Sequence, residues 1–162
     1  MSFERTRLET IEDFLGQKRI AIVGMSRDPK SMSSILFKEF SERGYDVVPV
    51  NPNTHEAMGR TCFARVQDIE PPVDAALLMT TPPVTEGVVM DCVEAGIKRV
   101  WMYRGGGQGA VSEKAVEACH ERGIKVVAGE CPLMFLPRCG GIHWVHGLVR
   151  RITGRYPRHI QA

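Results

Sequence analysis

A helix end, a glycine and a buried strand follow one another three times in this chain of 162 residues, and this repeat constrains the fold most. The three copies occupy residues 42–48, 94–100 and 121–127. The glycine of each copy is typical of the left-handed residue that ends a helix, and apolar residues at helical spacing precede it. Helices that alternate with strands in this way predict βαβ units and a parallel sheet.

The same periodicities predict where the individual elements lie. Helices are expected near residues 5–16, 32–43, 84–95, 112–122 and 142–153. Strands are expected near residues 19–24, 46–50, 74–79, 98–103 and 124–128. The long connection 53–72 has room for a short strand near residues 60–62. We therefore expect a single α/β domain over residues 1–162, with a Rossmann-like, doubly wound sheet of five parallel strands in the order 3-2-1-4-5 and flanking helices.

Composition sets the broad class of protein. Apolar residues make up 43% of the chain and charged residues 25%, which is ordinary for a globular protein. No apolar run is long enough to span a membrane, and the N-terminus lacks the apolar core of a signal peptide. We expect a cytoplasmic protein without a membrane partner, whose five cysteines are thiols.

The basic residues are concentrated at one end of the chain. The formal net charge is only +2, but residues 131–162 contain no Asp or Glu and carry Arg138, Arg150, Arg151, Arg155 and Arg158. This basic segment, with the predicted helix 142–153, either steers anions, contacts a protein partner or is a solvated helix face. All three interpretations stay open, as does a homo-oligomer, and we expect no nucleic-acid partner.

The first predicted strand runs into a glycine turn and then a helix, an arrangement that suits a phosphate because the helix start has free N–H groups. The turn begins with Gly24, Met25 and Ser26, and the cations Arg27 and Lys30 follow it. Hydroxyl donors are available at the helix start from Ser31, Ser33 and Ser34. Alternatively, Ser33 or Ser34 only caps the helix.

The fingerprint of a dinucleotide-binding site is incomplete in this chain. Such a site needs a second glycine in the first turn and an acidic residue near the end of the second strand. The turn has no second glycine after Gly24, and Asn51 ends the second strand. A nicotinamide cofactor is therefore disfavoured, and a small NAD(P)-dependent oxidoreductase is the second hypothesis.

Five short motifs follow one another along the chain: Val23 to Pro29, Val50-Asn51-Pro52, Val73-Asp74 leading to Thr81-Pro82-Pro83, Val100-Trp101-Met102 and Gly129-Glu130-Cys131-Pro132. In this order they resemble the small stand-alone CoA-binding proteins, which are similar to the N-terminal CoA-binding domain of the succinyl-CoA synthetase α subunit. The resemblance covers roughly residues 15–135. It implies a Rossmann-like site for coenzyme A or an acyl-CoA at the carboxyl ends of the strands.

The resemblance also implies roles for particular residues. The turn Gly24-Met25-Ser26-Arg27 and Lys30 would meet the phosphates, with Ser34 close by at the helix start. Asn51-Pro52 and Thr81-Pro82-Pro83 would bracket the adenosine, and rigid prolines suit the walls of such a crevice. Alternatively, each proline only ends its strand.

The chain departs from the family after the fourth strand, where it reads Gly105-Gly106-Gly107-Gln108-Gly109. This stretch is interpreted as a mobile lid, an anion-binding nest or a loose loop. Cys131, just past the fifth strand, either meets the thiol end of CoA or packs in the core.

We predict no catalytic residue and no metal site. The spacing of Cys131, Cys139, His143 and His146 fits no common zinc pattern well. Because the chain lacks the phosphohistidine loop and nucleotide-grasp partner of the synthetase, the expected function is non-catalytic binding, carriage or sensing of CoA or an acyl-CoA. A regulator that binds partners through its basic segment is a third hypothesis.

Overall fold

A computed structural model describes residues 8–107 and 109–137. Its helices are α1 (Leu8–Leu15), α2 (Met32–Glu42), α3 (Pro82–Glu94) and α4 (Glu113–Glu121). Its strands are β1 (Arg19–Val23), β2 (Asp46–Val50), β3 (Glu56–Ala57), β4 (Arg60–Thr61), β5 (Ala75–Leu78), β6 (Arg99–Tyr103) and β7 (Lys125–Glu130). Short 3-10 helices span Val66–Asp68 and Pro132–Met134. The predicted helix 142–153, Cys139, His143 and His146 lie outside the described residues.

Five of these strands form one parallel sheet in the order β2-β1-β5-β6-β7. The α/β class and the five-stranded Rossmann-like sheet are thus confirmed. The short strand predicted near residue 60 is β4, which pairs with β3 in a separate antiparallel hairpin. Within the described residues, no helix is long and apolar enough to cross a membrane.

The predicted strand order 3-2-1-4-5 is wrong: in the numbering of the main strands the order is 2-1-3-4-5. The reason lies at the outer edge of β2, where the third strand was expected to pair. Phe63 occupies this edge, since its N–H donates to the Pro49 carbonyl and its own carbonyl accepts from the Asn51 N–H. Pro49 has no N–H to offer a further strand, as is usual in an edge strand. The third main strand, β5, therefore pairs with β1 instead.

The helices cover both faces of the sheet because the chain reverses its winding direction at β1. Ile20 and Ile22 of β1 point into a core with α1 and α2, whereas Ala21 and Val23 point into a core with α3 and α4. Helix α1 is anchored by Phe14, whose ring meets that of Trp101 edge-on at 5.2 Å. Because β1 pairs in parallel with both β2 and β5, the carboxyl ends of these three strands lie side by side.

The three repeated junctions have the predicted geometry. Gly44, Gly96 and Gly123 adopt φ values of +87°, +73° and +67° directly after α2, α3 and α4. Glycine adopts this left-handed conformation without the steric cost that a Cβ brings. The next strand begins two residues after Gly44 and Gly123, and three residues after Gly96.

Candidate nucleotide-binding crevice

The turn after β1 is built around Gly24. Its φ is +90°, and a Cβ at this position would lie 2.9 Å from the carbonyl oxygen of Met79. Such a contact is too short for a carbon and an oxygen, so a residue without a side chain is required here. Gly24 thus lets the end of β1 approach the chain that leaves β5.

Asn51 joins this first turn to the turn after β2. Its side-chain amide donates to the Met25 carbonyl at 2.6 Å, and its side-chain oxygen accepts from the Asn53 N–H at 2.8 Å. The main-chain N–H groups of Gly24 and Met25 both donate to the Val50 carbonyl. The amide of Asn51 therefore ties the turn after β2 to the turn after β1.

Serine hydroxyls organise the start of α2. Ser31 is the N-cap residue, and its hydroxyl accepts from the Ser34 N–H at 3.2 Å. Ser34 is only 2% exposed and its hydroxyl donates to the Asp28 carbonyl at 2.8 Å. The hydroxyl of Ser33 accepts from the Ser26 N–H at 3.0 Å. The cap is therefore Ser31 rather than Ser33 or Ser34, and the Ser34 hydroxyl is engaged within the loop.

Three main-chain N–H groups in this region remain without a partner among the described residues: those of Arg27, Met32 and Ser33. The last two belong to the first turn of α2, where helical N–H groups have no intrahelical acceptor. The aligned peptide dipoles also favour negative charge at this end of the helix. Arg27 and Lys30 precede α2 in the sequence, and their side chains are exposed to solvent.

A cavity of about 630 Å³ lies at the carboxyl ends of β1, β2 and β5. The predicted residues that line it are Gly24, Asn51, Pro52 and Thr81. We call this cavity the crevice. It stands where the strand order reverses, which is where open α/β sheets bind ligands.

The other predicted residues lie around the crevice without lining it. Met25 is fully buried in the core beneath α2, and Ser26 is half-buried. Arg27, Lys30 and Pro83 are exposed, and Pro82 lines a second cavity.

The second cavity, of about 620 Å³, lies beside the first turns of α3 and α4. It is lined by Pro82, Glu86, Arg104, Val111, Ser112, Glu113 and Lys114. The Ser112 hydroxyl donates to the Glu86 carboxylate at 2.7 Å and also caps α4. Thr81 and Val84 line the crevice, whereas Pro82 and Glu86 line the second cavity. The first turns of α3 thus contribute to both cavities.

The glycine-rich stretch after β6 folds back tightly on that strand. The Ala110 N–H donates to the Tyr103 carbonyl at 2.8 Å, and the Arg104 side chain donates to the Gly107 carbonyl at 2.8 Å. A Cβ at Gly109 would collide with the Tyr103 carbonyl oxygen. The glycines of this stretch therefore permit a close backbone turn; Gln108 lies outside the described residues.

Cys131 is placed in the core rather than in either cavity. It is 4% exposed and packs with the residues beneath α1 and α2. The pKa of the Tyr103 hydroxyl is raised to about 12, chiefly by burial and secondly by the neighbouring Cys131. The structure therefore does not bring Cys131 together with the residues that line the crevice.

The remaining described cysteines are buried thiols: Cys62, Cys92 and Cys119. Burial raises the pKa of both Cys92 and Cys119 to about 12. Among the described residues, no cluster of three or more His, Cys, Asp or Glu side chains is placed to hold a metal ion. Cys139, His143 and His146 of the zinc alternative lie beyond that part of the chain.

Arg65 lines the crevice and was missed by the sequence analysis. It lies in the long connection between β2 and β5, where no motif singles it out. Its Nη2 atom lies 2.8 Å from an oxygen of Asp91 and 3.9 Å from one of Glu94 on α3. The sequence itself carries no signal for Arg65. It reaches the crevice because it follows Phe63 by two residues, and the position of Phe63 beside β2 is seen only in the folded chain.

A parallel sheet with a glycine turn after its first strand, and a crevice where the strand order reverses, defines a Rossmann-like nucleotide-binding domain. Comparison with known proteins gives the family. The family model described as CoA binding domain matches residues 18–137, and the chain belongs to this family.

The chain is similar both to a protein of its own size and to one part of a longer ligase subunit. The uncharacterized protein YneT of Bacillus subtilis is 29% identical over 126 residues, which cover 78% of this chain and 90% of that protein. The ADP-forming acetate–CoA ligase II subunit alpha of Pyrococcus furiosus is 29% identical over 128 residues, 75% of this chain but only 28% of the subunit. The chain thus matches about a quarter of the ligase subunit.

Solved structures give the same fold. A hypothetical protein from Pyrococcus horikoshii superimposes with a TM-score of 0.74 at 31% identity, over 87% of this chain and all of that one.

Proposed function

We propose that this protein binds coenzyme A or an acyl-CoA in the crevice at the carboxyl ends of β1, β2 and β5. The observation that carries the proposal is the crevice itself, which stands at the reversal of strand order in a chain of the CoA-binding domain family. Its size is within the usual range of small-molecule sites.

The diphosphate of CoA is assigned to the start of α2. The N–H groups of Arg27, Met32 and Ser33, which have no partner among the described residues, supply donors, and the side chains of Arg27 and Lys30 supply positive charge. Met25 and Ser34 hold this loop in shape from within. Ser26 lies in the same turn, and its hydroxyl accepts from the Asp28 N–H at 3.0 Å.

The adenosine is assigned to the space between Pro52 and Thr81. The crevice is mostly apolar there, since Val23, Val50, Val84 and Val88 also line it. A purine ring buries its faces against such surface, while Asn51 keeps the two turns at a fixed separation. Pro82 and Pro83 begin α3, where proline is well tolerated.

The pantetheine arm is assigned to the second cavity, across the first turn of α3. Arg104 lines that cavity and pairs with no carboxylate among the described residues. A polar end of the ligand, such as an amide of the arm or a thioester carbonyl, is the expected partner of its guanidinium.

The role assigned to the protein is non-catalytic: it carries, stores or senses the ligand. Neither cavity is lined by a cysteine or histidine among the described residues, and the one serine in the second cavity caps α4. Covalent catalysis on a thioester needs an activated nucleophile beside a base.

The proposal is tested by mass spectrometry of the natively purified protein, followed by calorimetric titration with CoA and NADP. We expect a bound mass that matches CoA or an acyl-CoA, and an affinity for CoA at least tenfold above that for NADP. Tighter binding of NADP than of CoA would reject the proposal in favour of the oxidoreductase hypothesis.

A further inference from the structure

Arg65 is the one cationic side chain among the described residues that line the crevice. Its side chain is 56% exposed, so a ligand can reach it. It stands beside the turn after β2, because Phe63, two residues earlier, is bridged to Val50. Arg65 therefore faces the part of the crevice that Asn51, Pro52 and Asn53 also line.

Two carboxylates orient this arginine through one nitrogen atom. Nη2 contacts Asp91 at 2.8 Å and Glu94 at 3.9 Å. Asp91 is itself held in place, since its carboxylate also accepts from the Gln67 side-chain amide at 2.8 Å. Among the described residues this Nη2 contact with Asp91 is the one hydrogen bond that the Arg65 side chain makes, which leaves four of its five N–H donors for a ligand, including the second N–H of Nη2.

The chemistry of the ligand gives these donors a partner. CoA carries a diphosphate and also a phosphate monoester on the 3′ oxygen of its ribose. With the diphosphate at the start of α2 and the adenosine beside Pro52, the monoester lies on the side of the adenosine. We propose that Arg65 binds this 3′-phosphate, an inference that rests on the proposed function.

A phosphate is a better partner for the Arg65 guanidinium than the Asp91 and Glu94 carboxylates that it contacts in this structure. A guanidinium donates two parallel hydrogen bonds to a phosphate, and this fork geometry adds specificity to the charge attraction. The contacts with Asp91 and Glu94 are exposed to solvent, and exposed ion pairs contribute little free energy. A phosphate monoester carries more negative charge than one carboxylate and can share the arginine with Asp91.

The consequence is that Arg65 distinguishes CoA from 3′-dephospho-CoA, which differs only by that phosphate. Calorimetric titration of both ligands tests this in the wild type and in Arg65→Gln. We expect the wild type to bind CoA about 10-fold to 100-fold more tightly, the range for a hydrogen bond to a charged group. In Arg65→Gln we expect this ratio to fall close to one, while the affinity for dephospho-CoA stays the same.

Two further arginine variants separate the roles. Arg27→Gln is expected to weaken both ligands equally and keep their ratio, because it acts on the diphosphate that they share. Arg60→Gln is the matched control: Arg60 is also an exposed, ion-paired arginine, 2.8 Å from Asp46, but it does not line the crevice. It should change neither affinity. Arg65→Lys keeps the charge without the fork and should give an intermediate ratio.

An unchanged ratio in Arg65→Gln overturns the assignment of Arg65, even if CoA binds well. An equal loss for both ligands in that variant also overturns it, since Arg65 would then contact the base or the diphosphate. If Arg65→Gln does not fold, the test uses the ratio of the affinities for CoA and dephospho-CoA in Arg65→Lys. A ratio equal to that of the wild type would show that Arg65 does not bind the 3′-phosphate through two parallel hydrogen bonds. Failure of the wild type to bind either ligand counts against the proposed function instead.

Discussion

The side-chain amide of Asn51 donates a 2.6 Å hydrogen bond to the main-chain carbonyl of Met25 and thereby ties the turn after β2 to the turn after β1. The acidic residue of a dinucleotide site would have to contact the ribose from near this position. In this protein Asn51 occupies that position, and its side chain instead joins the two turns that line the crevice.

Replacing Asn51 with Ala should therefore destabilise the protein. The Met25 carbonyl and the Asn53 N–H both lose a partner, and we expect the free energy of unfolding to fall by about 1–3 kcal/mol. Denaturant titration measures this change. Asn53→Ala is the control: within the part of the chain that the structure describes, Asn53 forms a hydrogen bond through its main-chain N–H and none through its side chain, and the change should cost within about 0.5 kcal/mol. Equal effects of the two variants would show that the Asn51 amide does not brace the turns.

Replacing Gly24 with Ala should be more damaging than the same change at Gly44. Both glycines have φ near +90°, so both variants carry the same backbone strain. Only at Gly24 would the new Cβ also clash, 2.9 Å from the Met79 carbonyl oxygen, whereas nothing lies within 4 Å at Gly44. We expect Gly44→Ala to cost about 1 kcal/mol and Gly24→Ala about 2 kcal/mol more.

Thermal unfolding of Gly24→Ala and Gly44→Ala, with and without CoA, measures the stability of each variant and its response to the ligand. Gly24→Ala should also lose the CoA-dependent rise in melting temperature, because ligand binding stabilises only a folded state with an intact site. A normal CoA response in Gly24→Ala would contradict the placement of the ligand beside this turn.

Replacing Arg27 or Lys30 with Ala should weaken CoA binding by about 1–3 kcal/mol, the range for charge-assisted hydrogen bonds. Both side chains are exposed, so the melting temperature without ligand should barely change. Titration calorimetry checks the affinity. Lys38→Ala, another exposed lysine of the same region, is the control, and its affinity should equal that of the wild type. Unchanged binding in both test variants would place the phosphates elsewhere.

Stability at acid pH should depend on Asp46. Burial by itself raises the pKa of this carboxyl, but hydrogen bonds and charge attraction from Arg60 and Arg19 outweigh it and lower the pKa below its ordinary value of 3.8. A depressed pKa gives stability that is present above pH 3.8 and is lost as the pH falls through the folded-state pKa.

Comparison of the wild type with Asp46→Asn by denaturant titration between pH 7 and pH 2 tests this. The variant should be less stable at pH 7, and the difference should shrink once the pH falls below about 4. A difference that stays constant down to pH 2 would mean that the carboxylate charge contributes nothing.

The buried thiols should resist modification in the folded protein. Cys131 is 4% exposed, and the thiolate is the species that attacks a disulfide. Treatment with the disulfide of CoA should therefore leave Cys62, Cys92, Cys119 and Cys131 unmodified, and all four should react after unfolding. Peptide mapping identifies the adducts. A rapid adduct on Cys131 in the folded protein would show that the thiol end of CoA reaches it.

Local patterns were enough to predict the elements and the kind of site. The glycine at each helix end, as at Gly44, and the apolar strand after it are set by conformational preferences that act within a few residues. The turn at Gly24 was predictable for the same reason, because a left-handed glycine between a buried strand and a helix start is a local signal. The family resemblance rested on these same short segments.

Three outcomes were decided by contacts between residues far apart in the chain. Phe63 fills the outer edge of β2, so β5 pairs with β1, and no property of either strand alone reveals this. The same contact brings Arg65 to the crevice, although its surroundings in the sequence read as a plain connection. The burial of Ser34 and Cys131 depends on how α2 and α1 pack against the sheet. Periodicity and turn chemistry thus determined the strands, the helices and the glycine turn, while edge pairing and packing decided the strand order and which side chains line the crevice.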